Sequence, residues 1–254
     1  MKRSLMLSIA IVAVLYSVPS AALAGLVFQD TFTKTDQALL GTTPDIGGVW
    51  TITGTSVVNP IQIVGGKVAL ANTGQDAFAA LAPGVPNLPG SPIRTSMDIN
   101  LSAVGTGDYF THLSDPAGTT SFFFQRLGAA ATTGGYFLTF AATAGGGATT
   151  TPGTTVLSLG TTYHVDIDWN FVAGPLNDTF QVYVDGTPYL SKTRDSTTSA
   201  EPTTISAVNF RQGTAASAPT LTVDNLNVLQ VPEPTTLALL AVVAVFGAAA
   251  RRRS

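Results

Sequence analysis

The sequence contains no cysteine, only two histidines and few charged residues. Among its 254 residues there is no Cys, and Asp, Glu, Lys and Arg together make up 11%. The absence of Cys excludes thiol catalysis, thiolate zinc sites, iron–sulfur clusters and disulfides. The two histidines, His112 and His164, fall in no H-x-x-H or similar metal-binding spacing. A structural metal would therefore be a hard cation held by oxygen ligands.

Glutamate is also scarce, which bears on glycan hydrolysis. Glycosidases place two carboxylates on either side of the scissile bond, but the chain has only Glu201 and Glu233. Asp166 and Asp168 lie two residues apart on one face of a predicted strand, and one interpretation makes them such a pair. A second interpretation adds His164 to form a metal site. We favour a third, in which these side chains line the solvated polar face of the strand.

The chain also lacks an excess of basic residues. Residues 25–230 contain seven Lys and Arg against fourteen Asp and Glu, a net charge of −7. No basic patch or nucleic-acid-binding motif is present, so nucleic acid is not expected as a partner. The same segment shows no long helical pattern and is rich in Thr, Gly, Ala and Ser, which indicates strands and turns.

The first 24 residues have the three parts of a secretory signal peptide. Two basic residues precede the apolar run Leu5–Val18, and Ala22 and Ala24 form an A-x-A cleavage site. We therefore predict removal of residues 1–24 by cleavage between Ala24 and Gly25. The alternative is an uncleaved membrane anchor, but the run is short of the ~20 apolar residues that a spanning helix needs.

The last segment, 231–254, holds a Pro-Glu-Pro triplet, the apolar run Leu237–Ala250 and a terminal arginine cluster. The apolar run is again below the ~20 residues of a typical membrane span, and the positive charges behind it would stay on the cytoplasmic side. The two prolines hold the triplet extended and out of the helix, so it stays accessible for processing. The residues at the two ends of this segment are Val231, Pro232, Glu233, Pro234, Arg251, Arg252 and Arg253.

This order of triplet, apolar helix and arginines resembles the PEP-CTERM sorting signal. The resemblance implies a Gram-negative bacterium with an exosortase that cuts near the triplet after transient anchoring in the inner membrane. It also implies delivery to the cell surface or the extracellular matrix, and an association with exopolysaccharide production. A plain C-terminal membrane anchor is the alternative.

The clearest strand signal lies in Tyr163–Phe171. Its odd-numbered positions are apolar or aromatic and its even-numbered positions are polar, the alternation of a half-buried strand. A second alternating segment, Phe180–Val184, ends at the turn Asp185-Gly186 and predicts a hairpin. Many short strands with Gly and Pro turns predict an all-β sandwich or barrel. The other predicted strands are Trp50–Thr53, Ile61–Val64, Lys67–Ala71, Phe78–Ala80, Ile93–Leu101, Tyr109–Leu113, Ser121–Arg126, Tyr136–Thr143, Thr155–Leu159, Ile205–Arg211 and Leu221–Leu229.

Five segments follow one another along the chain: Asp30–Phe32, Leu40–Trp50, Tyr163–Phe171, Phe180–Gly186 and Val223–Val228. Together and in this order they resemble the concanavalin A-like, LamG-type jelly roll. The resemblance implies an all-β, two-sheet antiparallel jelly-roll sandwich at 25–230 whose first and last strands meet, flanked by an N-terminal signal helix and a C-terminal hydrophobic helix. Members of the family bind sugars, act in adhesion or hydrolyse glycans, but the clustered E-x-D-x-x-E of the hydrolases is absent here.

The same resemblance suggests a calcium ion near the chain termini. Sandwiches of this type sometimes hold Ca²⁺ there through carboxylates and backbone oxygens, and Asp30 and Asp224 are the matching positions. In the alternative interpretation, Asp224 and Asn225 form a turn or bulge by hydrogen-bonding to their own backbone.

Aromatic residues are candidates for sugar stacking. We expect Trp50 and Trp169 to lie in the core, because large aromatic side chains tend to be buried. Tyr109, Phe110 and Tyr183 are better surface candidates, although the sequence singles out none of them.

These features predict an exported, non-catalytic jelly-roll protein of the cell surface or extracellular matrix. Its partners would be the secretion machinery, an exosortase, the inner membrane for a short time, and extracellular polysaccharide. Two alternatives stay open at this point: a glycan-active hydrolase of the same fold, and a calcium-stabilised adhesion module.

Overall fold

In the structure, a computed structural model, the described part of the chain contains sixteen β-strands and no helix. All strand pairings are antiparallel. The structure describes residues 25–231 apart from 54–57, 72, 87, 116–122, 144–149, 175, 195–202 and 214–217. The signal helix predicted at 1–24 and the hydrophobic helix predicted after the Pro-Glu-Pro triplet lie outside the described residues. No helix of the described residues has the length and apolar character to span a membrane.

The strands form two sheets. The strands are β1 (Gly25–Asp30), β2 (Gln37–Ala38), β3 (Thr51–Thr53), β4 (Gln62–Val64), β5 (Lys67–Leu70), β6 (Asp76–Pro86), β7 (Ile93–Ala103), β8 (Asp108–Ser114), β9 (Phe123–Thr132), β10 (Gly135–Thr143), β11 (Thr151–Pro152), β12 (Thr162–Asn170), β13 (Thr179–Val184), β14 (Thr187–Thr193), β15 (Thr204–Phe210) and β16 (Thr220–Gln230). The nine-stranded sheet has the order β14-β13-β12-β7-β16-β5-β4-β2, with β1 also paired to β16. The seven-stranded sheet has the order β11-β10-β9-β8-β15-β6-β3.

The first and last strands pair with each other, as the jelly-roll resemblance implied. Gly25 lies opposite Gln230, and Asp30 lies opposite Leu226. Successive stretches of chain alternate between the two sheets, so most pairings join strands that are distant in sequence. The all-β antiparallel jelly-roll sandwich predicted from the sequence is confirmed.

The core lies between the inner faces of the two sheets. On β12, Val165, Ile167 and Trp169 are buried while the intervening residues face outwards, which is the predicted alternation. Each such side chain contributes about 1.5–3 kcal/mol when fully buried. Trp50 stacks on Phe210 with ring centroids 5.1 Å apart. Both tryptophans are buried, so the expectation that they belong to the core is confirmed.

The strand predicted at Thr155–Leu159 is wrong. Only Leu157 pairs there, in an isolated bridge with Tyr136, and the short strand β11 lies earlier in the chain. Leu157 is buried, but its neighbours Val156 and Leu159 are 45% and 46% exposed. The segment thus has apolar residues without the alternating burial of a strand.

Two predicted strands are longer than expected. The segment predicted at Phe78–Ala80 extends over Asp76–Pro86 as β6, and that predicted at Ser121–Arg126 is Phe123–Thr132 as β9. Both extensions are rich in Ala, Gly or Pro, residues with weak strand propensity. Pairing with neighbouring strands holds them extended and overrides that propensity.

Candidate functional site

Polar side chains from β12 and β7 line the outer face of the nine-stranded sheet. In the register of these two strands, His164 lies opposite Asp98, Asp166 opposite Ser96, and Asp168 opposite Arg94. The sequence predicted the β12 half of this row from its alternation. The β7 half comes from the pairing, which joins residues about 70 positions apart, such as Arg94 and Asp168.

The two aspartates of β12 are each bound to a different partner. Asp168 accepts hydrogen bonds from Nε and Nη2 of Arg94 at 2.6 and 2.7 Å, a two-pronged ion pair. Asp166 accepts the hydroxyl of Ser96 at 2.5 Å. Their arrangement is that of a structural polar row on a sheet surface, in line with the interpretation favoured from the sequence.

His164 lies between two carboxylates of the same row. Its Nδ1 is 2.6 Å from Oδ1 of Asp98, and its Nε2 is 3.4 Å from Oδ1 of Asp166. The hydrogen bond to Asp98 raises the pKa of His164, although partial burial opposes this. Among the described residues no group of three or more His, Asp or Glu has the arrangement to hold a metal ion. We therefore assign this cluster no metal.

The carboxylates proposed as calcium ligands are bound to protein donors. Asp30 is fully buried, and its Oδ1 accepts the N–H of Phe32 and the ammonium of Lys34 while its Oδ2 accepts the indole N–H of Trp50. Asp224 accepts the backbone N–H of Asn225, as the alternative interpretation expected. Since Lys34 already supplies the positive charge at Asp30, the described residues do not support a calcium site there.

Of the three aromatic surface candidates, one is buried. Phe110 is 0% exposed and belongs to the core, so its selection as a surface residue was wrong. β8 is bulged on both sides of Thr111 relative to β9, and simple alternation therefore does not predict which of its side chains face out. Tyr109 and Tyr183 are partly exposed, and Tyr109 lines a groove of the described surface.

That groove lies on the outer face of the seven-stranded sheet, over β9 and β10. On β9 the partly exposed Arg126 and Ala130 line the groove, whereas Gly128 between them is buried. The groove encloses about 270 Å³. Its lining comprises Thr106, Gly107, Asp108, Tyr109, Arg126, Ala129, Ala130, Thr139, Ala141 and Thr150.

Small residues form the floor of this groove. Thr139 and Ala141 of β10 lie opposite Gly128 and Arg126 of β9. A Cβ at Gly128 would lie 2.5 Å from the carbonyl oxygen of Asp108, so only glycine lets β8 and β9 approach this closely. These small residues form the floor of the groove, and the larger side chains of Tyr109 and Arg126 form what we call its wall.

Tyr109 stands in that wall with two arginines against its ring. The Cζ atoms of Arg211 and Arg126 lie 4.3 and 5.0 Å from the ring centroid, within cation–π range. Nη1 of Arg211 also donates to Oδ2 of Asp108 at 2.5 Å. Burial raises the pKa of Tyr109 although both guanidiniums act in the opposite direction, so the phenol is neutral at physiological pH.

The second arginine of the wall, Arg126, has no counter-charge among the residues that the structure describes. No ion pair joins Arg126 to any residue that the structure describes, and its Nε is buried without a hydrogen-bond partner there. Arg211, in contrast, shares its charge with Asp108. Within the described part of the chain, Arg126 is therefore a cation of the groove without an ion-pair partner.

A buried polar layer lies next to Tyr109. The ring of His112 meets that of Tyr109 edge to face at 5.5 Å. Burial, assisted by Arg211 and Arg126, lowers the pKa of His112 to about 3, so the imidazole is neutral. Asn209 lies opposite His112 in the sheet and donates to Oγ of Ser114 at 2.9 Å. The positive charge at this place thus comes from the guanidiniums alone.

Sequence analysis did not find this groove as a site. One signal was present: an arginine followed at alternate positions by Gly128 and Ala130 predicts a strand face with a charged end and a low floor. The convergence of Tyr109, Arg126 and Arg211 depends on β8 lying between β9 and β15, which no local pattern reveals.

Comparison with solved structures supports the fold. The CBM2 module of the evolved Dit of Lactobacillus casei BL23 phage J-1 is 12% identical, with 83% of this chain and 97% of that chain covered and a TM-score of 0.52. A double mutant of the alginate lyase Aly36B in complex with alginate tetrasaccharide is 17% identical, with 84% and 99% covered and a TM-score of 0.53. At these identities the similarity is one of fold.

The C-terminal segment gives the more specific finding. Residues 230–253 match the family described as the PEP-CTERM protein-sorting motif, which confirms the resemblance seen in the sequence. The motif implies export, transient membrane anchoring and processing by an exosortase. A comparison with curated proteins finds no match to the chain.

Proposed function

We propose that this is a non-catalytic polysaccharide-binding protein of the cell surface or extracellular matrix in a Gram-negative bacterium. The signal peptide would be removed at Ala24, the exosortase would cut near Pro232–Pro234, and the jelly roll would be delivered outside. The observation that carries the binding role is the groove, in which the ring of Tyr109 and the guanidinium of Arg126 lie beside a floor of small residues. Sites for sugars combine such apolar faces with a few placed polar groups.

The fold comparisons support the choice of polysaccharide as the ligand class. One similar structure is named as a CBM2 module and the other contains alginate tetrasaccharide. We take from them the class of ligand and no residue roles. The sorting motif supports the same choice, because the resemblance links it to exopolysaccharide production.

A binding experiment tests the groove. The protein recovered from the producing bacterium should bind that bacterium's own exopolysaccharide, and Tyr109→Ala should weaken binding about tenfold, since an aromatic contact contributes about 0.5–1.5 kcal/mol beyond area burial. Tyr183→Ala is the matched control, because this partly exposed tyrosine lies on the other sheet. Equal binding by wild type and Tyr109→Ala would contradict the groove as the site.

An intact-mass measurement tests the processing. Protein from the cell surface and medium should have a mass that begins at Gly25 and ends near the Pro-Glu-Pro triplet. A mass that retains Arg251–Arg253 would indicate a permanent membrane anchor and would contradict delivery to the matrix.

A second form of glycan-cleaving enzyme would use this groove instead of the Asp166 and Asp168 pair. Tyr109 lines the groove, and His112, outside the lining, packs against its ring; both are residue types that transfer protons. However, His112 is only 4% exposed, and its pKa of about 3 makes it a weak base. This burial is the reason that we propose binding without cleavage.

A further inference from the structure

We infer that the groove on the seven-stranded sheet selects polysaccharides with anionic sugar units, and that Arg126 binds the anionic group. This inference rests on the proposed function and specifies its ligand class. The anionic group is a carboxylate or a sulfate, since the planar guanidinium offers two parallel donors to either.

The first step is the unbalanced charge of the groove. Arg126 forms no ion pair with the described residues, whereas the other arginine, Arg211, is bound to Asp108. Asp76, the next carboxylate, accepts the backbone N–H of Gln212 at 2.9 Å and is outside the groove lining. The wall therefore presents one guanidinium that no described carboxylate neutralises.

The second step is the cost of that arrangement to the protein. Nε of Arg126 is buried and has no hydrogen-bond partner among the described residues, and a charged group that loses water without gaining a partner is destabilising. Packing against Tyr109 fixes the guanidinium at the groove instead of letting it extend into solvent. A bound anion would supply the missing counter-charge, and a neutral sugar would not.

The third step concerns the net charge of the domain that surrounds the groove. Residues 25–230 carry a net charge of −7, so the rest of the domain repels a polyanion. This repulsion between exposed charges is screened beyond about 10 Å at 0.1 M salt, which leaves recognition to the charge in direct contact. The volume of about 270 Å³ and the small lining residues Ala129, Ala130 and Ala141 suit a single sugar ring lying against the sheet.

The test compares chemically modified forms of one polysaccharide. Exopolysaccharide from the producing bacterium would be used untreated, after carbodiimide–borohydride reduction of its carboxylates, and after solvolytic removal of its sulfates. We expect the wild-type protein to bind the untreated polymer at least about tenfold more tightly than one of the two modified polymers, since charge-assisted bonds are about twice as strong as neutral ones. The modification that weakens binding identifies the anion.

Three variants separate this inference from the proposed function. Arg126→Gln should bind the untreated polymer as weakly as wild type binds the modified one, while Lys67→Gln, the same change of charge on β5 of the other sheet, should bind like wild type. Arg126→Lys should be intermediate, because lysine keeps the charge and loses the planar fork.

The outcomes are distinguishable. Wild-type binding that survives both chemical treatments overturns the anionic ligand and leaves polysaccharide binding intact. No wild-type binding to any form overturns the proposed function, and this inference with it. If Arg126→Gln does not fold, the comparison of treated polymers with the wild-type protein decides.

Discussion

Trp50 donates its indole N–H to Oδ2 of Asp30 at 2.8 Å inside the core. The other oxygen of the same carboxylate accepts the backbone N–H of Phe32 at 2.9 Å and the ammonium of Lys34 at 2.7 Å. The end of β1 is thus joined to the aromatic core by a buried carboxylate with a lysine as its counter-ion. Trp169 and Asp178 repeat the pairing at 3.0 Å, with Arg194 as the nearby cation.

Replacement of Asp30 should be strongly destabilising. Asp30→Ala removes the acceptor for the Trp50 indole and leaves the ammonium of Lys34 without its partner. Breaking a buried ion pair by removing one member costs about 3–5 kcal/mol, and we expect a loss of this size in the free energy of unfolding. Urea denaturation followed by tryptophan fluorescence measures it.

Asp224→Ala is the matched control for that substitution. Asp224 is partly exposed and its carboxylate accepts a hydrogen bond from the adjacent backbone N–H, so the expected loss is at most about 1 kcal/mol. Equal destabilisation by the two substitutions would contradict the network at Asp30.

Removal of calcium should leave the thermal stability unchanged. The positive charge at Asp30 comes from Lys34, and the described residues contain no other cluster suited to a metal. We expect the same Tm in excess chelator and in millimolar calcium. A Tm that rises with calcium would revive the calcium-stabilised module, because a ligand that binds only the folded state stabilises it.

The fold could be predicted from the sequence where burial alternates strictly. On β12 the alternating side chains of Val165, Ile167 and Trp169 are apolar and buried, so both the strand and its core face followed from the pattern. The placement of Trp50 and Trp169 in the core followed from their size. The prediction from the pattern was wrong at Thr155–Leu159, where Leu157 is buried but lies in a loop and forms only an isolated bridge.

The groove could not be predicted because its residues meet only through strand order. Arg126, on β9, and Arg211, just after β15, reach Tyr109 because β8 runs between those two strands. In the same way, Asp98 and His164 meet across the pairing of β7 with β12. Sheet order and register are set by long-range packing, and no short sequence window contains them.

The pair of His164 and Asp98 should make stability depend on pH. The hydrogen bond with Asp98 raises the pKa of His164 above its ordinary value of 6.5. A group whose pKa is raised by folding contributes its full stabilisation at pH values below its pKa in the unfolded state. This contribution is lost as the pH rises through the pKa in the folded state. His164→Gln should therefore reduce stability at about pH 5.5, by about 0.2–1 kcal/mol as for exposed ion pairs, and much less at about pH 9.

The control for this prediction is a pair on the same strands that does not titrate in this range. Arg94→Gln removes the ion pair with Asp168, and arginine stays charged throughout, so its effect should be the same at both pH values. Thermal denaturation of both variants at the two pH values checks this. A loss for His164→Gln that grows with pH would show that the histidine is not charged in the folded protein.

The aspartates of β12 should be dispensable for any effect on glycans. Asp168 is held by Arg94 through two hydrogen bonds and Asp166 by Ser96, and hydrolysis would need both carboxylates directed at a sugar. We expect the wild-type protein to release no reducing ends from a broad panel of polysaccharides, and Asp166→Asn and Asp168→Asn to bind exopolysaccharide as wild type does. Release of reducing ends by wild type that either substitution abolishes would instead establish the hydrolase alternative and move the active site to the nine-stranded sheet.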